Sequence, residues 1–196
     1  MATVVFVSAF VWFLFLTPPS DAPPLQPYRP PVNVTKKTTF QPSSSSKKQL
    51  FQFIKKSNPK LDSNEAEDIA HWIDEYAAKE DIDPMLVAAL IGRESSFQKR
   101  AVSKTGAKGL GQIKDFNFKS LEISDPFDIK QNIRGTVRYL KNLKGMWKDS
   151  NDETRLVLAS YYQGPNKTKK THDSLPNHVT NYVDDILKKY QALRQK

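Results

Sequence analysis

One carboxylate in this chain of 196 residues stands where a proton-transfer group would be useful. Glu94 closes an apolar helical run that begins at Asp83-Pro84, and behind it comes a loop carrying Gly106, Gly109, Gly111 and a single amide side chain, Gln112. Asp83 supplies an N-cap and Pro84 the favoured first-turn proline, which predicts a helix from Pro84 to about Ser95. Leu86, Leu90 and Glu94 then fall at successive i, i+4 positions with Val87 and Ile91 beside them, so Glu94 projects from the apolar face. A carboxylate so placed loses hydration and its pKa rises, the condition a general acid needs near neutral pH. The same position suits an ion pair with Arg93, or with Arg100 or Lys104 folding back. Helix geometry alone leaves both readings open.

Other chemistries find less support. The absence of cysteine excludes disulfides, thiolate metal sites and a Cys nucleophile. The three histidines, His71, His172 and His178, show no HExxH or other ligand spacing, so neither a metal site nor a cofactor is expected. The glycines of the loop permit positive φ and close backbone approach to a ligand, although a plain turn explains one or two of them equally well. GxxxxGK[ST] and GxGxxG spacings are both missing, so this is no phosphate loop. Tyr161 and Tyr162 end a helical run, where they can stack on sugar rings or serve as amphipathic core residues.

The elements that must position these groups read as helices throughout. Leu50, Phe51, Phe53 and Ile54 make a short apolar face. Asn64 with Glu67 reads as a capping box before Ile69, Trp72, Ile73, Tyr76 and Ala77, among which His71 is solvent-facing or structural. Asp128 is placed to cap a long helix carrying Ile129, Ile133, Val137, Leu140 and Trp147. Its other side holds Lys130, Arg134, Arg138, Lys141, Lys144 and Lys148, a solvated face dense enough for contact with a polyanion or anionic bilayer. A helix from about Asp152 turns Leu156, Val157 and Ala159 inward and ends at Gly164 as a C-terminal cap. Asn166–Asp173 reads as a mobile basic loop, and a last helix from about Asn177 buries Val179, Val183, Ile186, Leu187 and Tyr190. No convincing strand appears, and the expected class is all-α.

Three zones follow from composition. Val4–Leu16 is an almost unbroken apolar run, shorter than the roughly 20 residues of a comfortable membrane span, and predicts residues 1–16 as an export signal or N-terminal membrane anchor. Residues 17–48 are rich in Pro and Ser and predict a disordered tether. Residues 49–196 are expected to form one helical domain, since 38% apolar and 11% aromatic residues are enough for a core. The net charge of +9 divides as +4 over residues 1–49 and +5 over residues 50–196, so both parts are basic, which suits nucleic acid, anionic lipid or an anionic wall polymer and selects none of them.

Three separated blocks together resemble the catalytic domain of the soluble lytic transglycosylases, a lysozyme-like family related to goose-type lysozyme. The first is Glu94-Ser95-Ser96-Phe97, Ala101-Val102-Ser103 and Gly106-Ala107-Lys108-Gly109-Leu110-Gly111-Gln112-Ile113, similar to the family's E-S-x-F…A-x-S-x-x-G-A-x-G-L-x-Q. The second is Asp125-Pro126-Phe127-Asp128 through Asn132-Ile133, with Gly135 and Tyr139-Leu140, similar to D-P…N-I…G…Y-L. The third is Leu158-Ala159-Ser160-Tyr161-Tyr162-Gln163-Gly164-Pro165, similar to A-x-Y-N-x-G-P. The likeness covers roughly residues 63–192, and three motifs in the right order make it specific.

This resemblance implies a lysozyme-like helical domain with a catalytic cleft and little or no β-structure. It implies Glu94 as sole catalytic acid and base, Ser103 and Gln112 lining the sugar groove, and Tyr161 approaching the carboxyl. The implied reaction cuts peptidoglycan glycan strands between N-acetylmuramic acid and N-acetylglucosamine with formation of anhydro-muramic acid. The chain departs from the family at Tyr162, where Asn is usual, and at Gly111 and Lys114, where Met is common. Lys114 there suits an anionic stem peptide or a lowered Glu94 pKa, and Tyr162 joins the substrate-binding set. The rival readings are a lysozyme-type muramidase, with Asp115, Glu122 or Asp125 activating water, and a non-catalytic wall-binding or assembly module. No DNA-reading motif is present and no nucleic-acid partner is expected. A monomer is expected, exported to the periplasm or cell envelope, with residues 4–16 available as a membrane tether.

Overall fold

The computed structural model describes residues 44–195, so the N-terminal signal or anchor and most of the Pro/Ser-rich tether lie outside the described residues. The helix α1, Ser44–Ser57, buries Leu50 and Ile54 completely. It starts five residues earlier than Gln49, so Ser44–Lys48 belong to the helix and not to the tether. Docking of Leu50 and Ile54 extends the helix backward, and the Ser46 hydroxyl secures its first turns by donating to Asp74 Oδ1 at 2.6 Å.

In α2, Ser63–Lys79, the cap is Asp62 and not Asn64: its carboxylate accepts from the backbone of Asn64 at 2.9 Å and Glu65 at 3.1 Å. Asn64 and Glu67 therefore both lie inside the helix, past its entry. The next helix, α3, spans Pro84–Glu94 with Asp83 accepting from the Met85 amide at 2.9 Å, as the Asp-Pro pair predicts. Val87, Ala88, Ala89, Leu90 and Ile91 are all buried, so α3 is apolar on nearly every side and serves as the central post of the core. It packs against α1, α2 and the last helix, whose Tyr190 hydroxyl donates to Asp83 Oδ2 at 2.7 Å.

Between Ser95 and Asp128 the chain forms the loop, a 3₁₀ turn at Asp115–Asn117 and the short α4, Phe118–Leu121. Only isolated bridges, Val102 with Lys108 and Lys108 with Ile113, stand in for β-structure among the described residues. Then α5, Ile129–Trp147, is capped by Asp128, which accepts from the Gln131 amide at 2.7 Å. It is followed by α6, Glu153–Gln163, by α7, Pro165–Thr171, and by α8, Asn177–Arg194. The fold is all-α.

One further expectation needs correction. Asn166–Asp173 is mostly helix: Pro165 occupies the first turn of α7, Thr168 is buried, and Gln163 Nε2 donates to the Thr168 and Thr171 hydroxyls at 3.2 and 3.0 Å. The basic side of α5 stays a partly solvated face whose cations make contacts within the fold. Arg138 pairs with Glu122 at 2.7 Å, Lys144 reaches Glu153 at 3.9 Å, and Lys141 donates to the Glu80 carbonyl at 2.7 Å. Lys130 lies over the Trp72 ring at 4.5 Å.

Candidate active site

Glu94 is the last residue of α3, at the helix end that disfavours negative charge. The helix stops there because Ser96 and Phe97 adopt φ of 50° and 61°, in the left-handed region. A bulky residue in that conformation is strained by about 1–3 kcal/mol and persists only where packing fixes it. Phe97 is fully buried and meets Phe53 of α1 edge-on at 5.8 Å. The α3 terminus and its carboxylate are thus held by a buried anchor three residues on.

Burial raises the Glu94 carboxyl to about 7, against the opposing effects of a hydrogen bond from Tyr182 and the nearby Arg93 charge. The Tyr182 hydroxyl donates directly to Glu94 Oε1. This contact bridges α8 and α3, and the periodicity of the last helix did not single it out. Tyr182 lies three residues after Val179 and four before Ile186, on the apolar face, where a phenolic hydroxyl must find a partner. That was the available signal. Burial, then the Glu94 charge, pushes the Tyr182 phenol well above its ordinary value, so it stays a hydrogen-bond donor. The ion-pair alternative for Glu94 is absent: Arg93 instead pairs with Asp185 at 3.1 Å and lies over the Tyr182 ring at 5.4 Å.

All six residues singled out by sequence, Glu94, Ser103, Gln112, Lys114, Tyr161 and Tyr162, line one cleft of about 400 Å³. Their hydrogen bonds show what holds each. Ser103 Oγ accepts from the Ala107 amide at 3.0 Å, closing the 103–107 turn. Gln112 sits at φ 52° and spends its amide donor on the carbonyls of Ala101 and Gly109, at 3.1 and 2.9 Å. Lys114 donates to the Thr105 carbonyl and is not what moves the Glu94 pKa. Tyr161 donates to the Gly111 carbonyl at 2.6 Å; it approaches Glu94 electrostatically, since that charge helps raise its pKa, while the direct bond comes from Tyr182. Tyr162 stacks on Tyr182, with centroids 4.5 Å apart and planes at 29°.

The glycine loop is clamped to α5 by buried Asn132, whose Oδ1 accepts from the Gly111 amide at 2.8 Å and whose Nδ2 donates to the Pro126 carbonyl at 2.8 Å. Gly109, at φ 77°, has no room for a Cβ: one would lie 2.2 Å from both Asn132 Nδ2 and the Pro126 carbonyl oxygen. At Gly111 a Cβ would lie 1.9 Å from Thr136 Oγ1, so α5 fills the space a larger side chain would take. Below the loop, Ile113, Leu121 and Ile123 form a second small core against which Phe118, Tyr139 and Tyr161 pack.

Among the residues lining the cleft, Glu94 is the single carboxylate. The three acids considered for water activation do not line the cleft. Asp115 pairs with Lys108 at 2.9 Å, Glu122 pairs with Arg138, and Asp125 Oδ1 accepts from the Phe127 amide at 2.8 Å. Such an arrangement can donate a proton and take one back at a single oxygen pair.

Residues 71–182 match the family described as Transglycosylase SLT domain. The chain is 30% identical over 162 residues to the membrane-bound lytic murein transglycosylase F of Desulfosudis oleivorans, covering 63% of this chain and 36% of that protein. It is 32% identical over 125 residues to the protein of the same name from Pseudomonas syringae pv. syringae, covering 61% and 25%. The matched part is thus about a third or less of those relatives' own length. In fold it is similar to an inactive mutant of the lytic transglycosylase Slt from Pseudomonas aeruginosa, with a TM-score of 0.56 at 19% identity over 64% of this chain and 24% of that one.

Proposed function

The chain belongs to the Transglycosylase SLT domain family, and on that premise we propose that it is a peptidoglycan lytic transglycosylase in which Glu94 acts first as acid and then as base. The observation that carries this reading is the lone carboxylate of the cleft, raised to about 7 by burial. A group titrating there holds its proton in a large fraction of molecules near neutral pH and can also accept one.

In the proposed reaction the Glu94 carboxyl protonates the glycosidic oxygen between N-acetylmuramic acid and N-acetylglucosamine, and the bond from that oxygen to the anomeric carbon breaks. The N-acetyl carbonyl of the muramic acid stabilises the positive charge left on that carbon. The C6 hydroxyl of the same sugar then attacks it, closing the anhydro ring, and gives its proton to the Glu94 carboxylate. The acid is regenerated and no water is consumed. Hydrolases with two protein carboxylates place them about 5–9.5 Å apart across the bond. A cleft lined by one carboxylate favours the route in which the substrate supplies the second group. Tyr182 orients the acid, Ser103, Gln112 and Lys114 line the glycan groove with Tyr161, and Tyr162 offers a ring face for a sugar.

The substrate, the envelope location and a tether through residues 4–16 belong to the same proposal. The similarity to membrane-bound lytic murein transglycosylases supports an envelope setting, while none of the described helices is long and apolar enough to cross a membrane. Action as a monomer belongs to the same proposal. Mass spectrometry of digested peptidoglycan tests the reading: anhydro-muramic ends are expected, absent with Glu94→Gln. Reducing muramic ends would assign a muramidase, and binding to peptidoglycan with no products would assign a wall-binding module.

A further inference from the structure

Phe116 is 82% exposed, the most exposed large apolar side chain among the described residues, yet it lines the cleft that holds Glu94. Resting on the glycan-cleaving reading above, we propose that Phe116 is a stacking platform for one sugar ring of the bound glycan strand, away from the bond that is cut.

The exposure is built rather than incidental. Its neighbours are pinned on both sides: the Asp115 carboxylate is paired with Lys108 at 2.9 Å, the Asn117 amide donates to the Lys114 carbonyl at 2.9 Å, and Phe118 packs on the small core of Ile113, Leu121 and Ile123. Asp115 beside it is exposed too but is charged and paired, so the Phe116 ring is the apolar part of this turn that faces solvent. A lone exposed ring on an open surface would need no explanation, but this one lines the cleft and offers an occupant a flat apolar face there. Of the four large apolar side chains exposed among the described residues, the two aromatic ones, Phe116 and Tyr162, both line this cleft.

The surroundings decide the kind of occupant. Hydroxyl and amide side chains, Ser103, Thr105, Asn117 and Gln163, line the same cleft, so the rings do not merge into a continuous apolar patch. A pyranose unit presents a C–H face for an aromatic ring and, at its rim, hydroxyl and acetamido groups for these polar side chains. A lipid tail or an apolar protein segment would cover those polar groups while offering them no hydrogen bond in place of water.

The test uses the full chain with soluble peptidoglycan glycans of defined length. Phe116→Ala is expected to raise KM about five- to tenfold with kcat nearly unchanged, and to weaken binding of a long fragment to the Glu94→Gln protein by the same factor. Phe116→Trp is expected to restore both, and the shortest cleaved fragment to show the smallest change. If wild type cleaves and Phe116→Ala leaves KM and binding unmoved, the platform is overturned while the enzymatic reading stands. Loss of binding to anionic phospholipid vesicles with glycan binding intact would overturn it in favour of a membrane contact. A wild-type chain that neither binds nor cleaves glycan overturns both.

Discussion

Glu94 carries two opposed demands, and they make its chemistry measurable. Burial raises its pKa, and the hydrogen bond from Tyr182 pulls the other way. Since the first step needs the protonated acid, kcat/KM for peptidoglycan is expected to fall as pH rises through about 7. Tyr182→Phe removes a donor that favours the carboxylate, so the falling limb should move to higher pH, by about one unit, with a lower plateau. A merely destabilised variant would lower the plateau and leave the limb in place. The same pKa bears on folding. The folded state holds the Glu94 proton from the ordinary value of 4.5 up to about 7, so stability falls as pH rises through that window and the full penalty remains above it. Glu94→Gln should therefore melt above wild type at pH 8, by up to about 3 kcal/mol less screening from the open cleft, with the gap closing near pH 4. Thermal melts at the two pH values read this directly; a gap independent of pH would refute the linkage.

At the scale of elements, the cleft is a loop clamped onto α5, and the fit of Gly111 against Thr136 is its tightest point. Gly111→Ala is expected to destabilise the protein by about 1–3 kcal/mol, because its Cβ would overlap a side chain that is fully buried. Thr136→Ala opens that space, so the double variant should recover most of the loss, and a double-mutant cycle from chemical denaturation should show favourable coupling of about 1 kcal/mol or more. This contact also marks what the sequence could and could not reveal. The Asp83-Pro84 cap, α3 and the position of Glu94 at its end were legible because they rest on local rules: a cap, a fixed φ and a 3.6-residue period. Contacts made by docking were not. Tyr182 reaches Glu94 across 88 residues of chain, and only the α8–α3 packing defines that pairing. Lys114 could be placed near the site from its motif, but its engagement with the Thr105 carbonyl depends on how the loop closes. The region after Gly164 read as a basic loop because its lysines dominate; the buried Thr168 and the Gln163 contacts that make it helical are tertiary.

For the folded domain as a whole, the family match begins at residue 71, inside α2, so α1 lies outside it. Yet α1 is part of the machinery by its packing. Leu50 and Ile54 are completely buried, and Phe53 meets the ring of Phe97, the residue whose left-handed turn ends α3 just after Glu94. Full burial of a Leu and an Ile contributes about 3–6 kcal/mol together, which for a domain of this size corresponds to about 10–20 °C in Tm. A chain beginning at Asn58 should therefore melt at least that much below one beginning at Ser44. It should also lose activity at temperatures where it is still folded, because Phe97 would no longer be held edge-on and the strained turn at Ser96 and Phe97 could relax, moving the carboxylate relative to Tyr182. Phe53→Ala isolates the second effect, since it removes the ring contact and keeps Leu50 and Ile54. The expected result is a small drop in Tm with a larger drop in kcat. Equal stability and equal turnover in the chain beginning at Asn58 would show that the family's core alone positions Glu94 and that α1 merely caps it.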